Sequence, residues 1–167
     1  GGPIVGAGST SCAPCAAGEN DQDSNAGTAC TQCPSGKYSA ANSFGSNGCI
    51  ACAVGQFDHD APATTSASTP CVACVIGRVQ PAPGQTQCAP CALGQYQHQG
   101  GMTACINCTA GKYLDTIGND ASSDCIACMA GTYSPNQGNT AASNCIACAV
   151  GLFSSQTGRT TPGDCHQ

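Results

Sequence analysis

Eight Cys-x-x-Cys pairs recur along this chain, at 12/15, 30/33, 49/52, 71/74, 88/91, 105/108, 125/128 and 145/148, and Cys165 opens a ninth. First-cysteine spacings run from 17 to 22 residues and settle at 20 towards the C-terminus. A unit this short cannot bury a face of its own, so a fixed period at this length predicts a tandem array whose repeats contact mainly their neighbours. Three residues after the second cysteine stands a glycine in every repeat: Gly18, Gly36, Gly55, Gly77, Gly94, Gly111, Gly131 and Gly151. Two residues further is an aromatic in six repeats (Tyr38, Phe57, Tyr96, Tyr113, Tyr133, Phe153), with Asn20 and Val79 as departures. A second glycine follows seven residues after the first at Gly84, Gly101, Gly118, Gly138 and Gly158. Glycines at two such points suit turns with positive φ, and the stretch between them has strand character around one aromatic. Each repeat therefore reads as one short, irregular hairpin, with the aromatic packed on its disulfide and on the next repeat. No window sustains a 3.6-residue apolar period, so little or no helix is expected.

The repeat boundaries follow the first cysteines: an N-terminal segment 1–11, then 12–29 (atypical), 30–48, 49–70, 71–87, 88–104, 105–124, 125–144 and 145–167, the last including the start of an unfinished ninth. What holds such units is not a conventional core. Leu, Ile, Val and Phe together are nineteen of 167 residues and Trp is absent, below the fraction that usually offsets conformational entropy. Cysteine, at seventeen residues, takes that role. The density indicates a disulfide scaffold and an oxidising compartment, hence an extracellular or cell-surface location. The fold class expected is a small disulfide-rich protein, mostly irregular with short β-hairpins, drawn out as a rod of about eight repeats.

A bond inside Cys-x-x-Cys would close a tight loop and leave the long segments untied. The more productive arrangement joins the second cysteine of one pair to the first of the next: Cys15 to Cys30, Cys33 to Cys49, Cys52 to Cys71, Cys74 to Cys88, Cys91 to Cys105, Cys108 to Cys125, Cys128 to Cys145 and Cys148 to Cys165. Each loop of about fifteen residues then contributes on the order of 3 kcal/mol in the chain-entropy model. Cys12 is left over, to close a loop of a preceding repeat or to pair with a neighbouring molecule. The alternative is an interlocked pattern, first to first and second to second, such as Cys12 to Cys30 with Cys15 to Cys33, which leaves Cys165 over.

Segments such as Cys125 to Cys148 (CIACMAGTYSPNQGNTAASNCIAC) resemble the ephrin-receptor-like cysteine-rich repeats of surface proteins, and are similar to the repeats of ciliate surface (immobilisation) antigens. More distantly, the Cys-x-x-Gly-x-Tyr loop is similar to the first loop of tumour necrosis factor receptor modules. That resemblance implies a bond from the cysteine before Gly-x-Tyr to the next one along. It covers residues 12 to 165, and such repeats serve as spacers, coats and receptor ectodomains alike. The first repeat departs, with Glu19-Asn20-Asp21-Gln22-Asp23 in place of the Gly-x-Tyr strand.

Other chemistries fit less well. The Cys-x2-Cys spacing also matches zinc ribbons, and eight pairs would make four sites of four thiolates. Zinc modules usually balance their thiolates with Lys and Arg, of which there are four here (Lys37, Arg78, Lys112, Arg159), scattered singly. That scatter provides no footprint for nucleic acid or an anionic membrane. Asp21-Gln22-Asp23-Ser24-Asn25 opens like a calcium loop, but Ala26 and Gln32 stand where the turn glycine and the bidentate Glu belong. A solvated acidic loop is expected there and at Asp58-His59-Asp60. His59, His98 and His166 fall in separate repeats, and no nucleophile has a base at motif spacing, so neither an enzyme nor a cofactor is expected.

Asn107-Cys108-Thr109 is the one Asn-x-Ser/Thr sequon, with its middle cysteine committed to a disulfide. The stretch 61–70 carries Thr64, Thr65, Ser66, Ser68 and Thr69 between prolines, a mucin-like composition suited to O-linked sugar. The chain starts without Met or an apolar leader, and no apolar run approaches eighteen residues, so it reads as a mature or excised segment with no direct membrane insertion of its own. The function expected is a structural component of a cell-surface coat or extracellular fibre. Its partners would be further repeats of its own kind, neighbouring repeats of a longer chain, and glycans. The alternatives are a receptor or adhesion ectodomain binding a protein ligand and, third, an array of zinc modules.

Overall fold

The computed structural model describes residues 14–23, 25, 28–59 and 71–167. Cys12 and the hydroxyl-rich stretch with Thr64, Thr65, Ser66, Ser68 and Thr69 lie outside the described residues, as does Asp60. The fold is a tandem series of two-residue antiparallel hairpins, with eight consecutive disulfides along the chain. Contacts divide the chain into two units, residues 1–73 with 82–88 and residues 74–81 with 89–167.

In the first unit β1 (Glu19–Asn20) pairs with β2 (Thr31–Gln32), β3 (Lys37–Tyr38) with β4 (Ile50–Ala51), and β5 (Gln56–Phe57) with β6 (Val72–Ala73). In the second, β7 (Arg78–Val79) pairs with β8 (Ala89–Pro90), β9 (Gln95–Tyr96) with β10 (Ile106–Asn107), β11 (Lys112–Tyr113) with β12 (Ile126–Ala127), and β13 (Thr132–Tyr133) with β14 (Ile146–Ala147). The first strand of every pair is the Gly-x-Tyr/Phe segment. The second strand is the x-x of the following Cys-x-x-Cys. A hairpin thus straddles two repeats as counted by cysteines, where the sequence suggested one hairpin inside each. The physical reason is the disulfide, which joins the cysteine ahead of the first strand to the cysteine that starts the second.

The eight glycines three residues past the second cysteines, seven of which open a first strand, have φ between +76° and +86°, the left-handed region that only glycine occupies without strain. The atypical first repeat forms the same hairpin, with Asn20 opposite Thr31 where other repeats set an aromatic opposite Ile or Val. Repeats with a 20-residue period differ from the 17-residue ones by a single 3-10 turn before the closing cysteine: Ser122–Asp124, Ala142–Asn144 and Pro162–Asp164. In each, the last side chain accepts from the backbone N–H that precedes the turn, as Asp124 does from Ala121 at 3.1 Å and Asn144 from Ala141 at 3.0 Å. No helix among the described residues is long and apolar enough to cross a membrane.

Candidate functional site

The recurring arrangement of chemistry here is the seam between successive repeats, and it begins at the disulfides. Cys15 is bonded to Cys30, Cys33 to Cys49, Cys52 to Cys71, Cys91 to Cys105, Cys108 to Cys125, Cys128 to Cys145 and Cys148 to Cys165. Cys74 and Cys88 are disulfide-bonded as well. Every described cysteine is therefore oxidised, and no thiolate is left among them to hold zinc. The third functional alternative raised by the sequence is overturned on that ground. The second cysteine of every pair but the last is nearly inaccessible, with Cys52, Cys91, Cys108 and Cys128 at 0% exposure, while Cys148 is half-buried.

Around each disulfide the backbone passes hydrogen bonds to the next repeat in a constant pattern. The starting glycine donates its N–H to the carbonyl three residues past the next starting glycine: Gly18 to Ser39, Gly77 to Gln97, Gly94 to Leu114, Gly111 to Ser134 and Gly131 to Ser154, all at 2.8–3.1 Å. Gly36 keeps the pattern with a substitution, donating to the Asp58 carboxylate at 2.8 Å. The second glycine of the following repeat donates back to the buried cysteine's carbonyl, as Gly84 does to Cys52, Gly118 to Cys91, Gly138 to Cys108 and Gly158 to Cys128, each at 2.8 Å. A third bond runs from the residue after the aromatic into the same loop, as from Gln97 to Asn119 and from Ser134 to Arg159. Carbonyls of the second glycines also lie against starting glycines two repeats back, Gly158 against Gly111 and Gly84 against Gly36. Contact thus reaches the second neighbour as well as the first.

The side chain sealed into this seam is not the aromatic but the residue after it. Asp21, Ser39, Asp58, Gln80, Gln97, Leu114, Ser134 and Ser154 are all buried, Gln97 and Ser134 at 1% and 0% exposure. The aromatics before them are half-buried, and Phe153 is exposed. Tyr96 packs on the cluster of Leu114, Cys108 and Cys125, the first two from the following repeat and the third the disulfide partner of Cys108. Seven of the eight sealed residues are polar, and their groups are occupied. Gln97 Nε2 donates to Ala104 O at 2.8 Å while its Oε1 accepts from Gln99 N at 3.0 Å. Ser39 Oγ donates to Glu19 O at 2.9 Å, and Ser134 Oγ accepts from Asn139 Nδ2 at 3.0 Å. Asn139 itself is buried and also donates to Lys112 O at 3.0 Å and Asn136 O at 2.8 Å. Polar residues read as surface in a sequence, so this layer escaped notice. The signal that could have found it is its position, one place beyond the aromatic in every repeat.

The acidic and histidine candidates do not assemble. Asp23 Oδ1 accepts from Thr28 Oγ1 at 2.6 Å and Asn25 N at 3.0 Å, and those bonds, Thr28's first, hold its carboxyl below the ordinary range. Its oxygens close a local turn. Asp58 serves the seam, His98 lies 6.1 Å from Tyr96 ring to ring, and His166 exchanges backbone bonds with Phe153. Among the described residues no group of three His, Cys, Asp or Glu side chains could hold a metal ion. In the last repeat, Asp164 accepts from Thr161 N at 3.0 Å and Thr160 N at 3.2 Å, and lies 3.7 Å from Arg159 Nη1. Those backbone bonds, and the guanidinium to a smaller degree, hold its carboxyl below the ordinary range. An open depression of about 140 Å³ lies beside it, lined by Phe153, Ser154, Arg159 and His166 among others.

Tandem disulfides, each closing a hairpin whose backbone is handed to the next repeat, define a class: cysteine-rich repeat proteins of the receptor-ectodomain type. The chain belongs, within that class, to the family described as tyrosine-protein kinase ephrin type A/B receptor-like, whose model matches residues 82–125 and 116–165. That family is a receptor-like cysteine-rich repeat and not an enzymatic one. No curated protein matches the chain.

Proposed function

We propose that this chain is a structural component of an extracellular coat or fibre at the cell surface, built from disulfide-stapled repeats that associate with further repeats of their own kind. The observation that carries the reading is the seam. Its hydrogen bonds run from backbone to backbone and recur with different side chains, so it suits extension and selects no small ligand. The scarcity of charge accords with a packed coat.

Sedimentation of the full secreted chain over a rising concentration series, with negative-stain imaging of the heaviest fraction, tests the proposal. Linear oligomers that grow with concentration are expected. A chain that stays monomeric throughout sinks the fibre reading. The second reading, a receptor or adhesion ectodomain, is favoured by the family description and by exposed aliphatics on the second strands, among them Ile50, Ile126 and Ile146 at 52%, 44% and 47% exposure. Under that reading the monomer would bind a protein ligand, and replacing these residues with Ser would weaken the binding.

A further inference from the structure

We propose that Asn107 is an acceptor for N-linked glycan, modified before the Cys108–Cys125 disulfide closes. Both polar residues of the sequon break the rule of the repeat at their own positions. The place of Asn107 is filled by Ala or Pro in six of the other seven repeats (Pro14, Ala51, Ala73, Pro90, Ala127 and Ala147), with Gln32 of the second repeat the one other polar residue there; Ala51, Pro90 and Ala127 lie against second glycines of the following repeat. The place of Thr109 is filled by Ala16, Pro34, Ala53, Val75, Ala92, Met129 and Ala149, none of which carries a hydroxyl. The scaffold therefore requires neither residue, and they depart from it together.

The carboxamide is also oriented for the role. Asn107 is exposed on β10, and its Oδ1 accepts from Gln95 Nε2 at 2.8 Å. Gly138 of the following repeat faces the same side of the group, since a Cβ built there would lie 3.2 Å from both Cγ and Oδ1. The carbonyl side is thus turned to the protein. Asn107 is an exposed residue and Nδ2 forms no hydrogen bond among the described residues, so Nδ2 is the end of the carboxamide that the protein leaves unengaged. A sugar attached there leaves the seam bonds intact.

The folded protein would nonetheless be a poor substrate for the transfer. Cys108 is fully buried and bonded to Cys125, and its N–H donates to Gly94 O at 2.8 Å. The sequon cannot be drawn into a transferase without breaking these. Transfer must come first, in the interval before Cys125 is available, which at about 5–20 residues per second of synthesis lasts on the order of seconds. In the step, Nδ2 displaces a polyprenyl-diphosphate leaving group from C1 of the donor oligosaccharide. The C1–O bond breaks with its electron pair on the diphosphate, the C1–N bond forms, and the nitrogen gives one proton to a base of the transferase.

The test is expression of the full chain through the secretory pathway of a eukaryotic host. Peptide mass spectrometry is run before and after amide-cleaving deglycosylation, on both intracellular and secreted pools so that a misfolded variant is still counted. Glycan at Asn107 in the wild type, its loss in Thr109→Ala and a higher occupancy in Cys125→Ser are the expected results. An unmodified Asn107 in the wild type overturns the acceptor assignment. Equal occupancy in the wild type and Cys125→Ser overturns the order of events.

Discussion

Two glycines that look equivalent in the sequence should respond very differently to the same substitution. Gly111 and Gly131 both open a first strand, with φ of +79° and +80°, so alanine at either incurs the left-handed cost of about 1–2 kcal/mol. At Gly131 nothing lies within 4 Å of the added Cβ, and the cost stops there. At Gly111 the Cβ would overlap the carbonyl oxygen of Gly158, with its carbon at 2.7 Å and Arg159 O at 3.1 Å. Backbone cannot rotate away as a side chain would, so the loop of the last repeat must move. The bonds from Gly111 N to Ser134 O and from Cys128 N to Gly111 O, both 2.8 Å, stretch with it. At about 0.5–1.5 kcal/mol each, their loss adds about 1–3 kcal/mol to Gly111→Ala beyond Gly131→Ala. Hydrogen exchange with the disulfides intact reads this directly. The Cys128 amide should exchange about 5- to 150-fold faster in Gly111→Ala than the Cys148 amide does in Gly131→Ala, since 1.4 kcal/mol is tenfold. Equal acceleration in the two variants would refute the inter-repeat glycine contact.

Further outcomes follow from the sealed polar layer and the turn caps. Gln97→Ala strands Ala104 O and Gln99 N, which Gln97 now satisfies, and should cost about 1–3 kcal/mol in denaturant unfolding. Gln95→Ala, at a half-buried position whose side chain makes only the surface bond to Asn107, should cost less, under about 0.5 kcal/mol. Asn139→Ala removes three bonds of a buried amide and should destabilise more than Asn119→Ala, whose amide bonds only the nearby Thr116; thermal unfolding ranks the two. The depressed Asp164 carboxyl stabilises the last turn above its ordinary value of 3.8, and that contribution disappears as pH falls through the lower folded-state value. Protection of the Thr160 and Thr161 amides, taken relative to their intrinsic exchange at the same pH, should therefore fall in acid. Asp164→Asn, which copies Asn144 of the preceding repeat, should keep the turn and abolish that acid response.

Much of the architecture was legible because cysteine and glycine act locally. A glycine three residues after each buried cysteine means a left-handed turn, and seventeen cysteines among few large apolar residues mean disulfides in place of a core. Where each hairpin falls was less legible, because its second strand belongs to the next Cys-x-x-Cys and pairing depends on residues up to 19 positions apart through the disulfide. Asn20 shows the same limit. It looked like a break in the strand, yet it is 2% exposed and donates to Gly45 O at 2.8 Å, a partner 25 residues away.

The sequence by itself determined the period, the oxidised scaffold and the hairpin class, since these follow from residue types whose conformational limits hold in any context. Two disulfide patterns remained open to it, and it assigned the interior to the aromatics. Tertiary structure decided for the sequential pattern. It also set a mostly polar residue, one place further on, into the seam. The reason is that burial of a polar group depends on which carbonyls and N–H groups surround it, and those come from the neighbouring repeats.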